Sequence, residues 1–123
     1  MKTSIEVWWK QAERDLKSAK NSFSSKDYYV SALLSQQAVE KALKCLCLKE
    51  KGELLRIHDV VKLAREVNAP LEIVKKCAEI NPVYVEVRYP EGNELPADKI
   101  NKEEAEQILE LAREVLVWIK KQL

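Results

Sequence analysis

Residues 83–96 read VYVEVRYPEGNELP, and the fold turns on whether their first half is a strand or a helix. Val83, Val85 and Val87 alternate with Tyr84 and Glu86, the period-two pattern of a β-branched strand. An isolated strand is not stable, however, and no other segment of the chain offers it a pairing partner. The apolar residues elsewhere recur at spacings of three and four. The stretch is therefore expected to be a further helical turn over residues 82–88, restarted at Pro82, and PEGNELP a connecting turn.

Upstream, Asn81-Pro82 interrupts a helix that starts at Pro70, where a missing N–H costs nothing, and that turns Leu71, Val74, Cys77 and Ala78 inward. HDVVKLAREV (58–67) fits a short helix with Val60, Val61, Ala64 and Val67 inside. Residues 26–50 predict the longest helix, closed near Gly52. Its apolar stripe (Tyr29, Ala32, Leu33, Val39, Leu43, Leu46) is interrupted by Gln36. Beside it runs a row of small residues, Ser31, Ser35, Ala38, Ala42 and Cys45, which lets another backbone approach and places this helix at the bundle centre. A helix over about 4–24, capped by Thr3 or Ser4, carries Ile5, Trp8, Ala12, Leu16, Ala19 and Phe23 on one stripe. Downstream, Asn101 with Glu103 and Glu104 caps a last helix with Ala105, Ile108, Ala112, Val115 and Ile119 inward. The fold class is all-α: an up-and-down bundle of about five helices in one domain spanning 1–123.

Composition agrees with this. A chain of 123 residues with 46% hydrophobic residues can bury one core, and two glycines with four prolines disfavour a turn-rich β protein. With 21 basic and 20 acidic residues there is no bulk polycation for nucleic acid or membrane. Charge is nevertheless uneven. Residues 40–65 hold seven basic against four acidic side chains (+3), and residues 91–114 hold three against eight (−5). The basic segment would attract phosphates; its plainer reading is a solvated face with pairs such as Glu40–Lys44. Cys45, Cys47 and Cys77 form no C-x-x-C pair and are expected to be buried thiols in a reducing cytoplasm, with no metal and no cofactor. No apolar run reaches membrane-spanning length. Leu111, Trp118 and either Trp8 or Trp9 exceed the main stripes, which fits a homodimer face or simply wide stripes.

The lone histidine, His58, precedes Asp59. The pair reads as an oriented general base, or else Asp59 caps the third helix and His58 covers its end. Four phrases then combine: AERDLKSAK (12–20), YYVSALLSQQAVEKALKCLCLKEKG (28–52), HDVVKL (58–63) and VYVEVRYP (83–90). With Gln37, Ala38, Glu40, Lys41, Ala42 and Lys44 as its most specific part, the chain resembles the HEPN family, the higher eukaryote and prokaryote nucleotide-binding domain.

The resemblance implies a dimerising helical bundle. Small prokaryotic members are often paired with a minimal nucleotidyltransferase in a two-component, toxin-antitoxin-like system, and many are metal-independent RNases. Those RNases carry an arginine and, downstream, a histidine with four to six residues between them. Here Arg56 stands only two before His58, the positions at that spacing are Lys51, Gly52 and Glu53, and no histidine follows Arg88. If RNA is cleaved, the base is His58 brought to Arg88 by the fold, or Tyr84 or Tyr89. The candidate site is Arg88 as phosphate clamp, Lys41 and Lys44 as added positive charge, His58 and Asp59 as polar partners, and Tyr84 or Tyr89 as a stacking ring. The alternative is a non-catalytic dimeric module that binds the nucleotidyltransferase.

Overall fold

A computed structural model describes residues 4–123. It contains α1 (Ser4–Ser24), α2 (Tyr28–Lys51), α3 (Val60–Glu66), α4 (Leu71–Ile80), the single turn α5 (Val83–Glu86), a 3-10 turn at Pro96–Asp98, and α6 (Lys102–Gln122). There is no strand among the described residues. The decisive stretch is helical, and burial shows why. Val83 and Val87 are buried while Val85 is exposed. A strand would put all three on one face, whereas a helix puts 83 and 87 together.

The first three helices, α1 to α3, end with left-handed residues. Gly52, at φ 73°, donates its N–H to the Leu48 carbonyl at 2.9 Å, as a glycine after a helix does. Lys26 at φ 63° and Asn68 at φ 55° do the same without glycine. The Asp27 N–H reaches Ser22 and the Ala69 N–H reaches Ala64, the six-to-one bonds of a Schellman closure. The closure at Lys26 moves the start of α2 to Tyr28, two residues later than its composition predicts. Asn101 closes a capping box with Glu104 at the start of α6. Ser4 is the first residue of α1, and the other candidate cap, Thr3, lies outside the described residues.

At the centre is α2, which packs against α1, α3, α5 and α6. The small-residue row faces α1: Ser31 Oγ donates to the Ala19 carbonyl at 2.8 Å, and Cys45 Sγ to the Ile5 carbonyl at 3.2 Å. Contacts at opposite ends in this order make α1 and α2 antiparallel. The inward stripe of α6 is buried as its spacing predicts. The face of α4 is rotated: Cys77 is buried and Val74 half-buried as expected, but Leu71 and Ala78 are exposed, and Ile73 and Ile80 are buried instead. Two apolar rows compete on this short helix, and the one that reaches α3 and α6 wins. Trp9, Leu111 and Trp118 pack half-buried on the core, so wide helix stripes account for part of that surplus.

Candidate functional site

On α2, Gln36, Glu40 and Lys44 are spaced by four and share one face. That face is not solvated. The Glu40 and Lys44 side chains are 6% and 9% exposed, so the pair expected on a water-facing surface is an internal one. Glu40 is its hub. One carboxylate oxygen, Oε1, accepts from Gln36 Nε2 at 3.0 Å; the other, Oε2, accepts from Lys44 Nζ at 3.1 Å. Gln37 Nε2 donates in turn to Gln36 Oε1 at 2.7 Å. A buried carboxylate needs a countercharge and filled lone pairs, and this network supplies both.

The same Oε2 lies 3.0 Å from His58 Nδ1, and the His58 side chain is 55% exposed. The histidine therefore has one nitrogen anchored to the interior and a ring open to solvent. Its sequence neighbour Asp59 is not its partner. Asp59 Oδ1 accepts the N–H groups of Val61 and Lys62 at 3.0 and 3.1 Å and caps α3, so the capping reading holds.

His58 stacks on Tyr84, with ring centroids 4.5 Å apart and planes 16° from parallel. The Arg88 guanidinium carbon lies 4.3 Å from the same Tyr84 centroid, in cation–π contact. A single tyrosine on a one-turn helix thus carries the histidine and the arginine together, although they are thirty positions apart in sequence. Asn81 holds the arrangement. Its Oδ1 accepts the Val60 N–H at 3.1 Å and its Nδ2 donates to Asp59 Oδ1 at 3.0 Å. This bracket ties the residues after His58 to the residue before Pro82, the N-cap of α5. Asn81→Ala is expected to cost about 1–3 kcal/mol by orphaning the Val60 N–H and one Asp59 contact, read as a lower urea midpoint with an unchanged slope.

The remaining candidates stand differently. Lys44 lies beneath His58 and is committed to Glu40. Lys41 is directed at α1, paired to Asp15, which also accepts from Gln11 Nε2 at 2.9 Å, so Lys41 is not part of the group at Tyr84. Tyr89 is 62% exposed, and its carbonyl accepts from Lys99 Nζ at 3.3 Å. Of the two tyrosines, Tyr84 is already covered and Tyr89 presents the open ring. Glu40, Gln36 and Asn81 are site members that sequence reasoning did not assign to the site; the signals were Gln36 breaking an apolar stripe and Glu40 standing in the most specific part of the α2 motif.

No group of three His, Cys, Asp or Glu among the described residues could hold a metal ion. The three cysteines are free and buried. Burial pushes the Cys47 thiol up to about 11 and Cys77 up to about 12, and raises Cys45 as well. They are inert thiols at neutral pH. No helix among the described residues is long and apolar enough to cross a membrane. A groove of about 280 Å³ between α1 and α6 includes Trp9, Leu16 and Leu116, but none of the residues gathered at Tyr84 lines it.

Comparison with known proteins agrees with the fold and with the motifs. The chain is 34% identical, over 90% of its length and 82% of the relative's, to "Putative toxin MJ1304" of Methanocaldococcus jannaschii. It superposes on TT1696 from Thermus thermophilus with a TM-score of 0.89 at 29% identity, covering 97% of this chain and 98% of that one. It superposes on ST0689, an archaeal HEPN homologue, with a TM-score of 0.83 at 32% identity, covering 98% of each. The HEPN domain family matches residues 5–122, nearly the whole chain, and the VYVEVRYP helix and the α2 motif fall inside that match. The chain therefore belongs to the HEPN family.

Proposed function

We propose that this protein is a toxin-type HEPN component of a two-component system with a minimal nucleotidyltransferase, and that it binds RNA at the His58–Tyr84–Arg88 group. The observation that carries the reading is that Arg88 and His58 lie against one tyrosine ring. A guanidinium grips a phosphate through two donors, and an imidazole anchored at Nδ1 leaves Nε2 outward to move a proton. The toxin name of the Methanocaldococcus relative supports the same role.

In the cleavage this site suits, His58 Nε2 takes the proton of an RNA 2′-hydroxyl and the freed O2′ bonds to the adjacent phosphorus. The bond from phosphorus to O5′ breaks, and O5′ leaves with a proton returned by the imidazolium. The products are a 2′,3′-cyclic phosphate and a 5′-hydroxyl end, with no metal required. Arg88 neutralises the phosphate, and Tyr89 offers an open face to a base.

Binding of a labelled RNA across a salt series tests the first half. Arg88→Ala is expected to weaken binding and to lower the slope of log affinity against log salt by about one. An unchanged slope removes Arg88 from the phosphate contact.

A second reading is favoured by the exposure of Val85, Tyr89 and Leu95 within one short stretch beside the site. These apolar side chains suit a protein partner, a second copy or the nucleotidyltransferase, and a module that only docks there would bind that partner without cleaving RNA. Co-purification with the nucleotidyltransferase, together with product analysis in EDTA, separates the two readings.

A further inference from the structure

The geometry points to Glu40 as the positioning residue of this site: it fixes His58 in the Nδ1–H tautomer, with Nε2 as the proton acceptor, and Lys44 keeps Glu40 fit for that task. The inference rests on the functional reading only for its consequence, since the tautomer is a property of the protein alone.

Glu40 Oε2 meets two groups, Lys44 Nζ at 3.1 Å and His58 Nδ1 at 3.0 Å. A carboxylate facing an ammonium at this depth is the charged, accept-only form, because a neutral acid would strand a buried lysine. The hydrogen between Glu40 and Nδ1 must then belong to the histidine. An exposed histidine left to itself carries its proton mainly on Nε2, so the buried carboxylate selects the less common form. Three features hold Glu40 still. It sits mid-helix on α2, Gln36 fills its other oxygen, and Gln37 orients Gln36. This is the role that an acidic residue plays behind a catalytic imidazole, orienting the ring and stabilising the imidazolium without itself reacting. Lys44 therefore leaves the phosphate-binding set and joins the support.

The chain has one histidine, so its ring nitrogens can be assigned without ambiguity. Long-range ¹H–¹⁵N correlation spectra of the full chain, recorded where the ring is neutral, should show Nδ1 protonated and Nε2 with the shift of an unprotonated ring nitrogen. In Glu40→Leu/Lys44→Met, which removes both buried charges so that neither is stranded, the ring should revert to mainly Nε2–H. RNA cleavage by that double variant should fall about ten- to a hundredfold in kcat, through loss of the hydrogen bond that orients the imidazole, with little change in KM. A wild-type ring protonated on Nε2, or one unchanged in the double variant, overturns the inference even if His58→Ala abolishes cleavage. An Nδ1–H ring in a protein that cleaves no RNA leaves the positioning role standing and overturns the RNase reading instead. If the double variant does not fold, the wild-type spectrum alone decides.

Discussion

His58→Ala is expected to slow RNA cleavage by about two to four orders of magnitude while leaving RNA affinity within a few-fold of wild type. The split follows from the geometry. His58 Nδ1 is bound inward to Glu40, so the ring supplies proton transfer through Nε2 and little phosphate grip. Arg88 is the contrasting case, expected to lose affinity and rate together because a guanidinium contact exists before and during the reaction. Single-turnover cleavage alongside equilibrium binding separates the two. Equal losses of binding in both variants would mean that His58 acts as a cation at the surface and not as a base.

Leu43→Ala should be among the most damaging conservative changes to the fold. Leu43 is wholly buried on α2, the helix against which α1, α3, α5 and α6 all pack. Removing its isopropyl group leaves a cavity that the packed surroundings can close only in part, so the expected loss is about 2–5 kcal/mol, measured as a lower urea midpoint. That is a large fraction of the roughly 5–15 kcal/mol a domain of this size possesses. Val117→Ala on the exposed face of α6 is the control, expected to change stability by about 0.5 kcal/mol or less.

The two predictions bear unequally on what could be read from sequence. The stripes on α1, α2 and α6 are legible because each long helix repeats its pattern over many turns, and Leu43 falls in such a stripe. The four-residue α5 is too short to show a helical period, and the alternation it does show is that of a strand. Only elimination assigns it, since Val83 and Val87 acquire a common face only once a helical core exists. The buried face of α4 escapes the sequence because two apolar rows a residue or two apart score alike until α3 and α6 choose between them. The start of α2 moves because Lys26 adopts a conformation that glycine usually signals.

The candidate site is legible in its members and not in its wiring. Arg88, Tyr84 and His58 stand out, but sequence proximity pairs His58 with Asp59, whose Oδ1 is spent on the cap and on Asn81. The true partner, Glu40, is eighteen residues upstream and looks like one half of an ordinary surface pair. Such a pair reads the same on paper whether water or protein covers it, and here protein covers it.

The placement of the two halves of the site has a consequence in local unfolding. Glu40 and Lys44 lie on the interior of a 24-residue helix, whereas Tyr84 and Arg88 hang on a single turn whose hydrogen bonds run from 3.1 to 3.4 Å. Amide hydrogen exchange should therefore find residues 40–46 released only with the whole molecule, and residues 84–88 released through an opening far smaller in free energy. Under mild denaturant the arginine arm would swing free while the histidine stayed moored to its carboxylate. Activity would then fade well below the denaturant concentration at which the helical signal is lost.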